Sequence, residues 1–194
     1  VRDAESILDL LVKQYGYERS NIKLLTNDEA TLQNIRSYLD KIAKKSGEND
    51  AFLVFYAGHG ITKPTQQGGE MGYLLPVDGD KEYAFSTCLS MNELQSIGHY
   101  SKAKHILFLM DACYGGLMAA DFRSLENEKK TPGYIEKYAR EKARQIITAG
   151  GKGEEGVEKS IWGHSAFTKN LIGALKTNLA DDDKDGFITA GDLA

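Results

Sequence analysis

Two short, uninterrupted apolar runs constrain this chain more than any other feature, because each ends on a residue type that carries chemistry. Residues Ala51 to Ala57 read Ala-Phe-Leu-Val-Phe-Tyr-Ala and lead straight into Gly58-His59-Gly60. Residues Ile106 to Met110 repeat the pattern and lead into Asp111-Ala112-Cys113. A strand with one wet face alternates apolar and polar side chains. A run that is apolar throughout suits a strand of a parallel sheet covered by helices on both faces. Gln145 to Thr148 predicts a third such strand, and Ile22 to Leu25 a further short one.

Between these runs lie amphipathic stretches. Ile7, Leu8, Leu11, Val12 and Tyr15 fall at helical spacing, with Gly16 as a stop. Leu32, Ile35, Leu39 and Ile42 predict a second helix that ends near Lys44-Lys45-Ser46-Gly47. Leu94 and Ile97 mark a helix between the first two buried strands, and Phe167, Leu171, Ile172 and Leu175 mark one after the third. Strands alternating with helices imply an α/β fold with an open, mostly parallel sheet. Such sheets bind ligands beyond the carboxyl ends of their strands. His59 and Cys113 both stand just past such ends, on one edge of the sheet. Two segments break the rhythm: Thr62 to Gly72, with Pro64 and several glycines, reads as an exposed loop, and residues 118–143, charged and containing Pro132-Gly133, as a flexible linker.

The 194 residues suffice for one well-buried core, so residues 1–194 are read as a single domain. A net charge of −4 does not suggest a nucleic-acid partner, which would call for a basic face. No apolar run approaches the ~20 residues of a membrane span, and Val1-Arg2-Asp3-Ala4-Glu5 does not open like a secretion signal. The two cysteines, Cys88 and Cys113, are read as free thiols of a reducing, cytoplasmic compartment. The chain begins at Val1 without Met, inside an expected helix, which reads as a piece or domain of a longer protein.

A thiol becomes a good nucleophile once it loses its proton, and an adjacent imidazole can take that proton. Cys113 and His59 on neighbouring strand ends therefore make a minimal acyl-transfer site. Gly58 and Gly60 beside the His, and Gly115-Gly116 after the Cys, let a substrate backbone approach closely. The plainer alternative is a small buried thiol and a histidine that merely occupies a glycine turn.

The wider pattern favours chemistry. Caspases carry Gln-Ala-Cys-X-Gly with a His about 50 residues upstream; this chain carries Asp111-Ala112-Cys113-Tyr114-Gly115, with His59 upstream. Tyr56-Ala57-Gly58-His59-Gly60 and Asp111 to Gly116 resemble the His and Cys boxes of caspase-like cysteine peptidases, nearest to the bacterial metacaspase-like (orthocaspase) branch. Gly72 to Asp78, Ile147 to Gly150 and His164 to Thr168 agree with that family in the same order, over nearly the whole chain.

The resemblance implies a caspase-like sheet with helices on both faces, whose first strand precedes the Asp3-Ala4 helix and is missing from this chain. It implies that His59 activates Cys113, that the backbone N–H groups of Gly60 and Cys113 form the oxyanion hole, and that no cofactor is needed for the chemistry. Classical caspases place a Gln where this chain has Asp111. A carboxylate there attracts Arg or Lys and repels an acidic side chain. Metacaspases are similar in this respect, and their second pocket carboxylate maps to Asp3. The expected partner is thus a peptide or protein with Arg or Lys before the scissile bond. A basic-specific enzyme could also cut its own linker between Arg123 and Arg140, in a segment whose basic residues are read to include Lys129, Lys130, Lys137, Lys142 and Arg144.

Residues 181–192 resemble an EF-hand loop: Asp181, Asp183 and Asp185 occupy positions 1, 3 and 5, Gly186 position 6 and Ile188 position 8. Asp192 stands at position 12 in place of Glu, and its shorter side chain reaches an ion less well. These aspartates are calcium ligands by that pattern, or equally a solubilised, capped turn. A catalytically silent caspase-like interaction module and a calcium-regulated signalling domain are the alternative functions.

Overall fold

The apolar run from Ile106 to Met110 becomes the middle strand of a three-stranded parallel sheet. The computed structural model describes residues 1–112, 140–149, 164–177, 180–181, 184 and 188–193. Its elements in chain order are α1 (Arg2–Tyr15), α2 (Leu32–Lys45), β1 (Ala51–Ala57), β2 (Gly60–Pro64), β3 (Glu70–Leu74), α3 (Ala84–Thr87), β4 (Leu89–Ser90), α4 (Met91–Tyr100), β5 (His105–Asp111), β6 (Ala143–Thr148), α5 (Ala166–Thr177) and α6 (Ala190–Leu193).

Strand order in the parallel sheet is β1-β5-β6, with Ala57 opposite Asp111 and Met110 opposite Thr148. Successive side chains of a strand point to opposite faces, and β5 shows it. Ile106, Phe108 and Met110 pack with Leu32, Leu39 and Leu94 of α2 and α4. Leu107 and Leu109 pack with Ile7, Leu10, Leu171 and Ile172 of α1 and α5. Ile106, Phe108 and Met110 are at most 1% exposed, so each contributes about 1.5–3 kcal/mol by burial. Helices thus cover both faces, as a continuously apolar strand requires.

Local signals set the helix ends. Gly16 adopts φ 69°, and its N–H bonds the carbonyl of Leu11 to close α1. Thr31 caps α2 by accepting from the Asn34 N–H, and Ser90 and Glu93 form a reciprocal capping box at α4.

Two sequence expectations change. Thr62 to Gly72 is not simply a loop: β2 and β3 form an antiparallel hairpin pairing Gly60 with Leu74 and Pro64 with Glu70, and β4 extends it. Glycine, proline and polar residues hide these strands from periodicity, and Pro64 is tolerated because it ends its strand. Conversely, Ile22 to Leu25 is not a strand. Ile22 is extended, but a strand needs a ladder partner, and this run has none among the described residues. The third buried strand begins two residues before the expected start at Gln145, at Ala143.

Arg144 therefore belongs to β6 and not to the charged linker. Its guanidinium donates to the carbonyls of Gly98 (2.7 Å), Lys104 (2.9 Å), Ala143 (2.9 Å), Ser101 (3.3 Å) and Ala103 (2.7 Å). Two of these acceptors, Gly98 and Ser101, lie at the C-terminal end of α4, where backbone dipoles favour a cation. Burial pulls the guanidinium below its ordinary value without removing its charge. Replacing Arg144 by Met is expected to lower stability by about 2–3 kcal/mol, read as a lower urea midpoint with an unchanged slope. Among the described residues no helix is long and apolar enough to cross a membrane.

Candidate active site

The parallel register decides where the two sequence boxes meet. Ala57 ends β1 directly opposite Asp111, which ends β5. His59 follows two positions after Ala57, and Ala112 follows Asp111, so His59 and the end of β5 share one edge of the sheet. The Gly58 N–H donates to the Asp111 carbonyl at 3.1 Å and carries the ladder one residue past β1. Cys113 itself lies outside the described residues.

His59 is exposed, and its backbone is held firmly. Its carbonyl accepts from the Leu75 N–H at 2.9 Å and from the Tyr56 hydroxyl at 2.9 Å. The same hydroxyl lies 2.9 Å from the Leu75 carbonyl. Burial pushes the Tyr56 phenol far above its ordinary value, against the opposing effect of its bond to Leu75, so the group stays protonated and donates. Tyr56 folds back over its own loop. A Cβ on Gly58 would lie 2.7 Å from the phenol oxygen and 2.9 Å from Cζ, so the glycine is needed for the close approach of the ring.

The Leu75-to-His59 bond also fixes what Gly60 can do. It makes Gly60 and Leu74 a non-hydrogen-bonded pair of the antiparallel ladder. The N–H of Gly60 therefore points away from β3.

Asp111 is 9% exposed. Its Oδ2 accepts from the Ser165 hydroxyl and from the Thr168 hydroxyl, the latter at 2.5 Å. Ser165 also accepts from the Thr168 N–H at 2.9 Å, so this serine caps α5 and grips Asp111 at once. The carboxylate sits at a helix N-terminus, where negative charge is favoured. Asp3, in the first turn of α1, meets the neighbouring residue: His164 Nδ1 lies 2.5 Å from Asp3 Oδ1. The start of α5 therefore engages both carboxylates named from the sequence, each through one oxygen. Neither remaining oxygen has a hydrogen-bond partner among the described residues. The sequence signals the cap at Ser165, but gives no sign that Ser165 and Thr168 choose Asp111, or that His164 chooses Asp3. Trp162, beside them in sequence, lies outside the described residues.

Elsewhere, Cys88 is fully buried and packs with Tyr73 and Ala84, a structural thiol. Of the EF-hand-like positions, Asp183, Asp185 and Gly186 lie outside the described residues. Asp192 Oδ2 accepts from the Thr189 N–H and hydroxyl, both at 2.7 Å, and so caps α6. Among the described residues no group of three or more His, Cys, Asp or Glu could hold a metal ion.

Comparison with known proteins agrees with this architecture. A solved structure from Geobacter sulfurreducens superposes with a TM-score of 0.64 at 20% identity, covering 92% of this chain and 72% of that one. Metacaspase-1 of Botryotinia fuckeliana is 24% identical over 93% of this chain and 47% of its own length. Metacaspase-6 of Arabidopsis thaliana is 23% identical over 94% of this chain and 49% of its own. The chain thus spans about half the length of these curated relatives. The caspase domain family matches residues 1–185, and the chain belongs to that family.

Proposed function

We propose that this chain is a cysteine endopeptidase that cuts peptide bonds after Arg or Lys, with Cys113 as nucleophile and His59 as general base. The observation that carries the basic specificity is the shared anchoring of Asp3 and Asp111 by one helical turn. Two carboxylates, each held by one oxygen, suit a guanidinium or ammonium group with the other. An acidic side chain would meet like charge and be rejected.

In the reaction, His59 takes the Cys113 thiol proton and the thiolate sulfur attacks the scissile carbonyl carbon. The resulting oxyanion would accept from the Gly60 N–H, whose direction away from β3 supports that role, and from the Cys113 N–H; one such donor is typically worth ~3–4 kcal/mol. His59 then gives its proton to the leaving amine, and the C–N bond breaks to leave a thioester. Water, deprotonated by His59, attacks the thioester and releases the acid and the thiol. Self-processing is part of this reading, at basic residues before β6. Arg144 is excluded as a cut site because five carbonyls hold it in the sheet.

A panel of fluorogenic peptides differing only in the residue before the scissile bond tests the proposal. Arg and Lys peptides are expected to turn over at least about 100-fold faster than the Asp peptide. Equal rates, or a preference for Asp, would overturn the specificity.

A further inference from the structure

We infer that Tyr56 is a positioning residue for the general base, acting through the backbone of His59. The inference rests on His59 being that base.

A histidine base works only in one orientation, and in a Ser-His-Asp triad a carboxylate bonded to the far ring nitrogen supplies it. Among the described residues no side chain bonds the imidazole of His59, and what these residues do hold is the backbone that carries it. That backbone is a tight passage: only Gly58 and His59 separate β1 of the parallel sheet from β2 of the antiparallel one. Two donors hold it. The Leu75 N–H ties the His59 carbonyl to the strand end after β3, and the Tyr56 hydroxyl ties the same carbonyl to β1. Tyr56 also reaches the Leu75 carbonyl at the same 2.9 Å. One hydroxyl proton shared between two acceptors closes a triangle of Tyr56, His59 and Leu75. The triangle fastens the two sheets to each other at the residue that needs a fixed direction.

Glycine at 58 belongs to the same device. Any side chain there overlaps the phenol ring, so the spacing Tyr-Ala-Gly-His reads as a clamp: a donor, a spacer, a gap for the ring, and the residue clamped.

The test uses the full chain and compares Tyr56→Phe and Gly58→Ala with the wild type and His59→Ala. Phe keeps the ring and removes the donor; Ala keeps the donor and drives the ring away. Both are expected to lower kcat on an Arg peptide by about 10-fold or more with KM within about twofold, the signature of an interaction that matters in the transition state. The pH profile of Cys113 alkylation by iodoacetamide is expected to move toward that of His59→Ala, because the thiolate loses an aligned base. Unchanged kcat and an unchanged alkylation profile in both variants would overturn the inference, as would a loss of activity that merely tracks the folded fraction in thermal unfolding. Identical alkylation profiles for wild type and His59→Ala would overturn the dyad itself, and this inference with it.

Discussion

Replacing His59 by Ala is expected to lower peptide hydrolysis by about 10⁴-fold or more while leaving folding stability within about 0.5 kcal/mol. The two halves of that expectation come from different atoms of one residue. In the proposed mechanism the imidazole is the base; the fold uses the carbonyl, which accepts from Leu75 and Tyr56 and is the same in alanine. The side chain is exposed, so its loss opens no cavity. Initial rates on an Arg peptide and urea unfolding of the same preparation check both halves. A large stability loss would mean that the imidazole is a packing group and the catalytic assignment is wrong.

The second expectation concerns Asp111 and separates charge from shape. Asp111→Asn keeps an oxygen that can accept from Ser165 and Thr168, but removes the negative charge that the proposed pocket would offer to the substrate. Its kcat/KM for an Arg peptide is expected to fall by about 100- to 1,000-fold, in the range found when one partner of a close, desolvated charge pair is lost. Its unfolding should change by only about 1 kcal/mol. Asp111→Ala is expected to show the same catalytic loss and an added stability loss of about 2–3 kcal/mol, because the hydroxyls of Ser165 and Thr168 lose their acceptor at the start of α5. Steady-state kinetics and denaturant melts of the pair measure it. An Asn variant that still prefers Arg as strongly as the wild type would remove Asp111 from the substrate pocket and leave it an anchor for α5.

What could be read from the residues follows the range of the interactions. β1 and β5 are legible because a strand buried on both faces must be apolar at every position, a local property of Phe52 to Tyr56 and Ile106 to Met110. Helices α1, α2, α4 and α5 are legible through the spacing of their apolar residues, whereas the four-residue helices α3 and α6 are too short to show a period. The hairpin of β2 and β3 is not, since its stability comes from pairing Gly60 to Pro64 with Glu70 to Leu74 and not from an apolar period. At the site, the strand-end positions of His59 and Asp111 are local facts and were readable. Their partners were not: His164 and Asp3 lie 161 residues apart, and Asp111 lies 54 and 57 residues from Ser165 and Thr168. Tyr56 was hidden differently. Within an apolar run it reads as one more core residue, and only the fold reveals that its hydroxyl turns back onto its own loop.

The position of Arg144 has a consequence for the chain as a polymer. β6 lies in register along β5, Arg144 binds it to the end of α4, and α5 packs on α1 through one core. A scission between residues 113 and 139 would therefore leave β6 and α5 held to the rest of the described fold by these contacts. The product would be a nicked, two-piece molecule whose pieces dissociate only when the sheet itself melts, with its active-site edge contributed by both.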